Sequence, residues 1–180
     1  EIYQCDWSSD VCSSDLGPDD APLSSGEFAL LGDTARAHGW PVLADALSGL
    51  RGHADQLPGL VAHYDTILRN PRLARQLAPE AVLCLGGWPT SKVLRAWLQE
   101  HAPAVWLVST SGHNRDALQL ATTQVRGRLG QVVKSLAPAA AGAAYLDRWT
   151  QAEQRASARI DTVLRRGTRS EEHTSELQSH

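Results

Sequence analysis

The sequence of 180 residues contains no methionine, one phenylalanine and only three cysteines. Because a complete reading frame normally starts with methionine, we expect the chain to be a piece of a longer protein. No apolar run approaches the roughly 20 residues that a membrane-spanning helix requires, so no membrane partner is predicted. The chain also does not open with a basic segment followed by an apolar stretch, which predicts no secretory signal.

The two ends of the chain differ in character from the rest. Residues 6–16 and 169–180 show neither helical nor strand periodicity. Both resemble translations of one DNA sequencing adapter read on opposite strands. If Leu177 and Gln178 are coded CTC-CAG, the complementary strand contains TGG, the codon of Trp7. If Glu172 and His173 are coded GAG-CAC, the complementary strand likewise contains TGC, a codon of Cys12. We therefore predict that residues 1–16 and 169–180 are artefactual and disordered, and set them aside.

Setting the ends aside changes the charge and the cysteine content. Residues 17–168 contain 16 basic and 13 acidic residues, a net charge of +3, whereas the whole chain has −3. No cluster of Lys and Arg with interleaved aromatic residues appears, so no nucleic-acid partner is predicted. Only Cys84 remains, within an apolar run. A single buried cysteine predicts a reducing, cytoplasmic environment and excludes an internal disulfide.

Short apolar runs alternate with amphipathic segments between residues 17 and 137. Continuously apolar runs predict buried strands at 41–47, 81–85 and 104–108, with a short fourth strand at 124–126. Helical spacing predicts helices at 27–38, 58–69, about 90–101 and 127–136, with Asn70 capping a further short helix. This alternation predicts an α/β fold, a Rossmann-like parallel sheet with helices on both faces. A first strand is expected to be missing upstream of Gly17.

The segment after residue 137 is expected to lie outside this central domain. Residues 137–143 are rich in alanine and include Pro138 and Gly142, which is typical of a linker. From Tyr145 to Arg166 apolar residues recur every three or four positions, which predicts an extended terminal helix. We therefore predict a central domain at 17–137, and a linker and helix at 138–168 leading toward a further domain.

The most suggestive polar segment follows the strand at 81–85. Ligands bind at the carboxyl ends of strands in open α/β sheets, and free N–H groups at a helix N-terminus favour an anion. A possible anion site therefore comprises Gly86, Gly87, Thr90, Ser91 and Lys92, with Arg51 and Arg95 nearby. A plain helix cap with a solvated lysine explains the same residues. Neither the Walker A spacing nor G-x-G-x-x-G is present.

The remaining candidates favour structural roles. Asp45 and Arg51 could form an ion pair across the loop after their strand. The five histidines between the ends are scattered, which predicts no metal site. Ser109, Ser111 and His113 lack an evident orienting acid. The sequence thus predicts no catalytic, cofactor-binding or metal-binding residue in this chain.

Three stretches, in order, carry a family resemblance. They are GWPVLADALSGLR at 39–51, HYDTILRN at 63–70, and LAPEAV at 77–82 running into PTSK at 89–92 and LRAWL at 94–98. Together they resemble the middle domain of 2-succinyl-5-enolpyruvyl-6-hydroxy-3-cyclohexene-1-carboxylate (SEPHCHC) synthases, nearest to those of cyanobacterial type. The resemblance covers about residues 17–168. Trp88 is bulkier than usual there, and Ser109 stands where the family commonly has an aspartate.

The resemblance implies a parent enzyme with thiamine diphosphate and Mg²⁺. Such a transferase decarboxylates 2-oxoglutarate and adds the product to isochorismate in menaquinone and phylloquinone biosynthesis. Its pyrimidine-binding and diphosphate-binding domains carry the catalytic and cofactor residues, and both are missing here. The fragment alone is thus expected to be inactive and cofactor-free, and its parent to be a homo-oligomer.

Three functions stay open at this stage. The domain could be a scaffold that spaces the two cofactor-binding domains. It could also be a regulatory module that binds an anion at the site described above. Finally, it could be the central domain of another thiamine-diphosphate enzyme.

Overall fold

The computed structural model describes residues 10–14, 23–46, 48–86, 88–110, 118–120, 122–135 and 142–177. The strands are β1 (Asp10–Ser14), β2 (Val42–Ala44), β3 (Leu60–Val61), β4 (Ala81–Leu85), β5 (Ala104–Ser109) and β6 (Thr123–Arg126). The α-helices are α1 (Ser25–His38), α2 (Tyr64–Leu68), α3 (Pro71–Gln76), α4 (Lys92–His101), α5 (Leu129–Ser135) and α6 (Ala143–Leu177). A 3₁₀ segment spans Gly49–Gln56.

The six strands form one sheet in the order β3-β2-β1-β4-β5-β6, and each neighbouring pair is parallel. This is the strand order of a doubly wound fold, whose switch point lies between the first and fourth strands. The predicted Rossmann-like α/β class is therefore confirmed. The four strands expected from apolar runs are all present, with bounds shifted by a few residues.

Both faces of the sheet are covered, which explains the continuous apolar runs. Alternate residues of β4 point to opposite faces: Val82 and Cys84 enter one hydrophobic cluster, while Leu83 and Leu85 enter the other. The first cluster includes residues of α2, α3, α4 and the start of α6. The second includes residues of α1, α5 and the 3₁₀ segment.

Local hydrogen bonds and backbone conformations set several helix ends. Ser24 and Glu27 form a capping box at the start of α1, and Gly39 ends that helix in the left-handed conformation with φ of 69°. A Cβ on Gly39 would lie 2.6 Å from the backbone of Gly142, so the chain needs glycine there for space as well. Asn70 caps α3 through the N–H groups of its first turn, as predicted.

The predicted helix at 58–69 is wrong in its first half. Leu60–Val61 is instead a strand that pairs with β2, and α2 begins only at Tyr64. The Val42 N–H donates to the Gly59 carbonyl oxygen (2.9 Å), which draws this segment along the edge of the sheet. The helical spacing of the apolar residues could not reveal this strand, because the strand forms by pairing with β2, earlier in the chain.

The position expected for a missing first strand is occupied. β1 lies between β2 and β4, with Cys12 opposite both Val42 and Leu83. Residues 10–14 belong to the segment that was expected to be disordered, so the structure differs from the expectation here. Open edges of β2 and β4 present backbone donors and acceptors that any extended segment can satisfy, whatever its side chains. The adapter origin of the segment stays a prediction.

Helix α6 also extends further than expected. It was predicted to end near Arg166, but it continues to Leu177 and so includes most of the 169–180 segment. No proline or glycine follows Gly167 before the end of the helix, so the backbone bonds can continue within the helix itself. Val163 and Leu164 are 63% and 62% exposed, so this part of α6 stands away from the core.

Removal of residues 1–16 tests the role of β1. We expect the shortened chain to unfold at a lower urea concentration than the full chain, because β2 and β4 would lose their shared neighbour in mid-sheet. Circular dichroism during urea titration measures this. A comparison chain lacking only residues 1–8 should unfold like the full chain. Equal midpoints for all three chains would show that β1 adds nothing to the sheet.

Replacement of Trp149 tests how α6 is attached. Trp149 is fully buried and packs edge-on against Trp97, with ring centroids 6.0 Å apart. We expect Trp149→Ala to lower the free energy of unfolding by about 3–5 kcal/mol, through lost burial and the cavity that remains. The control Leu164→Ala removes an exposed side chain of the same helix and should change stability little. Equal effects would contradict the packing described here.

Candidate functional site

The carboxyl ends of β2 and β4 meet at one edge of the sheet, where Asp45 organises the loops. Asp45 follows β2 directly and is 3% exposed. Its carboxylate accepts hydrogen bonds from the Thr90 N–H (2.5 Å) and hydroxyl (2.8 Å), and from the Ala46 N–H (2.6 Å). The loop before α4 is thereby tied to the end of β2, 45 residues earlier in the chain.

A second aspartate binds the next residue of the same loop. The Ser91 hydroxyl donates to Asp65 (2.6 Å) and accepts from the Leu94 N–H (3.1 Å), which makes Ser91 the N-cap of α4. Ser91, rather than the neighbouring Thr90, therefore caps the helix that was predicted to start at about residue 90. Asp65 also accepts from Arg69 at 3.0 Å.

The two arginines of the predicted site bind backbone carbonyls. Arg51 donates to the carbonyl oxygens of Ala44 (3.1 and 3.2 Å), Asp45 (3.0 Å) and Ala62 (2.7 Å), so it joins the ends of β2 and β3. Arg95 donates to the Pro89 carbonyl at 2.6 Å. The expected Asp45–Arg51 ion pair is replaced by this arrangement, because the Asp45 carboxylate takes its donors from Thr90 and Ala46.

The electrostatics of this edge follow from burial and hydrogen bonding. Burial acts to raise the pKa of Asp45, but the hydrogen bonds from the Thr90 hydroxyl and from neighbouring N–H groups outweigh it and hold the pKa below its usual value. Burial first, and then the negative charge of Asp45, raise the pKa of the Tyr64 hydroxyl. Asp45 is therefore ionised and Tyr64 protonated at neutral pH.

The structure brings together only part of the predicted anion site. Thr90, Ser91 and Arg95 lie at the start of α4, but their side-chain donors are directed at Asp45, Asp65 and Pro89. Lys92 is exposed and lines a groove between α3 and α4. Gly86 follows β4 with φ of 83°, while Gly87 lies outside the described residues. Anion binding at this edge stays a prediction.

The other candidates take structural positions. The Cys84 thiol is fully buried, and burial raises its pKa to about 12, so it is held as an unreactive thiol. The His53 ring stacks on Phe28 at 3.9 Å between centroids. Within the described part of the chain no group of three or more His, Cys, Asp or Glu could hold a metal ion. Ser111 and His113 lie outside that part, while Ser109 is buried at the end of β5.

Sequence analysis missed the residue that joins α6 to the sheet edge. The Glu153 carboxylate accepts from the N–H groups of Ala62 and His63 (both 3.0 Å), and lies 2.7 Å from the His63 imidazole Nδ1. Glu153 thus provides the hydrogen-bond acceptor for two N–H groups just ahead of α2, although it lies about 90 residues later in the chain. No local pattern around Glu153 indicates this role.

A comparison with known families now identifies the fold. The family model described as the middle domain of thiamine pyrophosphate matches residues 22–178. The chain belongs to this middle-domain family. The resemblance found in the sequence is therefore confirmed. No helix in the described residues is long and apolar enough to cross a membrane.

Relatives that match this middle domain are named 2-succinyl-5-enolpyruvyl-6-hydroxy-3-cyclohexene-1-carboxylate synthase. One from Trichormus variabilis is 40% identical over 127 residues, which is 69% of this chain and 22% of the relative. One from Acaryochloris marina is 39% identical over 142 residues, 77% of this chain and 24% of the relative. One from Synechococcus elongatus is 41% identical over 124 residues, which is 68% of this chain and 21% of the relative. The chain thus matches less than a quarter of the length of each.

The charge of Asp45 should appear in the pH dependence of stability. Because its pKa is lower in the folded than in the unfolded state, its contribution is present above about pH 4, the unfolded value, and is lost as pH falls through the folded pKa. We expect Asp45→Asn to lower the free energy of unfolding at pH 7 by about 1–2 kcal/mol. The loss should shrink below pH 4, as measured by urea unfolding across pH. The exposed Asp55→Asn variant is the control, and the same pH profile for both variants would contradict the assignment.

Proposed function

We propose that the chain is the middle domain of a SEPHCHC synthase, a thiamine-diphosphate-dependent transferase of menaquinone and phylloquinone biosynthesis. Identity of 39–41% to relatives of that name, over most of this chain, supports the proposal. The whole enzyme would decarboxylate 2-oxoglutarate and add the product to isochorismate, with Mg²⁺ as the cofactor's metal. It would act in the cytoplasm as a homo-oligomer.

Within that enzyme the domain would serve as a scaffold between the pyrimidine-binding and diphosphate-binding domains. The observation that carries this role is the carboxyl edge of the sheet, where ligands of such folds usually bind. Here the donors of Thr90, Ser91, Arg51 and Arg95 are directed at acceptors of the same domain. A network satisfied in this way stiffens the loops and leaves few groups for a ligand.

The described residues do not fit thiamine diphosphate and Mg²⁺. A magnesium ion needs oxygen ligands from carboxylates and phosphate, and the diphosphate needs free N–H groups or cations. At the sheet edge the Asp45 and Asp65 carboxylates already accept from Thr90 and Ser91, and the described part of the chain has no group of three or more His, Cys, Asp or Glu that could hold a metal ion. We therefore place the catalytic and cofactor residues of the parent enzyme in its other two domains, and propose that this chain alone is inactive.

The two alternatives differ in support. A middle domain of another thiamine-diphosphate enzyme would be expected to match relatives with other names, whereas the most similar relatives reported above all carry the synthase name. At a regulatory anion site at Gly86–Lys92, the hydroxyls of Thr90 and Ser91 would already be donating to Asp45 and Asp65. Both arguments favour the scaffold.

Cofactor binding by the isolated chain tests the scaffold proposal. Isothermal titration calorimetry of the 180-residue chain with thiamine diphosphate and Mg²⁺ should give no saturable heat. The full-length Trichormus variabilis synthase, titrated under the same conditions, is the positive control. Micromolar binding by the isolated chain would overturn the assignment of the cofactor site to the other domains.

A further inference from the structure

A groove on the opposite side of the domain from α1 carries an unusual charge pattern. It lies between α6 and the α2–α3 segment, has a volume of about 310 Å³ and is open to solvent. Three arginines of α6 line it, Arg148, Arg155 and Arg159, and no acidic residue is among the described residues that line it. A second groove, between α3 and α4, also contains cations but includes Glu100, so its charge is mixed.

The three arginines are aligned by helix geometry. Positions 148, 155 and 159 are spaced by seven and four residues, which places them on one face of α6 over a length of about 16 Å. All three are exposed, and in the described part of the chain no carboxylate lies within ion-pair distance of them. Among the described residues their positive charges are therefore not paired in salt bridges.

One of these arginines is held in place by the core. The Arg148 guanidinium lies over the Tyr145 ring, 5.5 Å from its centroid. Tyr145 is buried, and its hydroxyl donates to the carbonyl oxygen of Leu77 at 2.8 Å. Leu77 itself lines the groove. The charge at this end of the groove is thus pre-positioned, which lowers the entropy lost when a ligand binds.

The floor of the groove is apolar. Ile67, Leu73 and Leu77 contribute from one side, and Ala152 and Ala156 from α6. The small alanine side chains leave the space between the two walls open. A volume near 300 Å³ with an apolar floor and a few convergent polar groups is typical of small-molecule sites.

We propose that this groove binds a small organic anion, with an apolar body on the Leu73–Ala152 floor and a carboxylate or phosphate head at Arg155 and Arg159, which lie one turn apart on α6, while Arg148 adds positive charge at the other end of the groove. Guanidinium groups suit both head groups because their paired N–H donors match two oxygens at once. The site is separate from the sheet edge, so its presence or absence leaves the scaffold proposal unchanged.

Binding of hexyl phosphate to the 180-residue chain tests the proposal. We expect saturable binding by calorimetry, weakened at least about tenfold by Arg155→Ala, because the phosphate would lose the paired N–H donors of one guanidinium group. Arg166→Ala, which removes the same charge from α6 outside the groove, should leave the affinity unchanged. Circular dichroism of each variant shows that the fold is retained.

Four further ligands separate the contribution of the charged head from that of the apolar body. Inorganic phosphate and 1-hexanol should each bind at least about tenfold more weakly than hexyl phosphate, because phosphate lacks the apolar body and 1-hexanol lacks the charged head. Hexanoate against hexyl phosphate shows which head group is preferred. Equal weakening by Arg155→Ala and Arg166→Ala, or no saturable binding of either hexyl anion at millimolar concentration, would overturn the proposal. Tighter binding of hexaglutamate than of both hexyl anions would also overturn it, in favour of an acidic peptide as occupant.

Discussion

The rest of the structure depends on the burial of β4 (Ala81–Leu85) between two layers of helices. All five residues of this strand are buried, and it pairs with β1 on one edge and β5 on the other. Its backbone groups have no access to water, so both neighbouring strands must be present to satisfy them. Its side chains alternate between two hydrophobic clusters, so both helical layers must be present as well.

The same constraint explains why α6 is attached so firmly at its start. Trp149 fills one cluster, Tyr145 donates to Leu77, and Glu153 accepts from the N–H groups ahead of α2. Beyond Ala156 the helix leaves this surface and becomes exposed. A helix that is anchored in the core at its start and exposed at Val163 and Leu164 suits the proposed role as a spacer in a larger enzyme.

At the sheet edge too, the polar side chains find hydrogen-bond partners within the domain. Asp45 and Asp65 are the two acceptors that order the loop before α4, and Arg51 ties the ends of β2 and β3 through their carbonyl oxygens. These residue types would suggest a binding site in another fold. Here their partners are internal, whereas the three arginines of α6 have no ion-pair partner among the described residues.

The sequence by itself determined the features that depend on near neighbours. Continuous apolar runs located β4 and β5, Asn70 marked a helix start, and Gly39 marked a helix end, because caps and burial act within a few residues. Ordered motifs between residues 39 and 98 located the family. Only the tertiary structure decided that Leu60–Val61 is a strand, that Arg51 binds carbonyls and that Glu153 accepts from the N–H groups ahead of α2. Each of these depends on a partner brought close by the fold, up to 91 residues away for Glu153 and Ala62, which local periodicity cannot register.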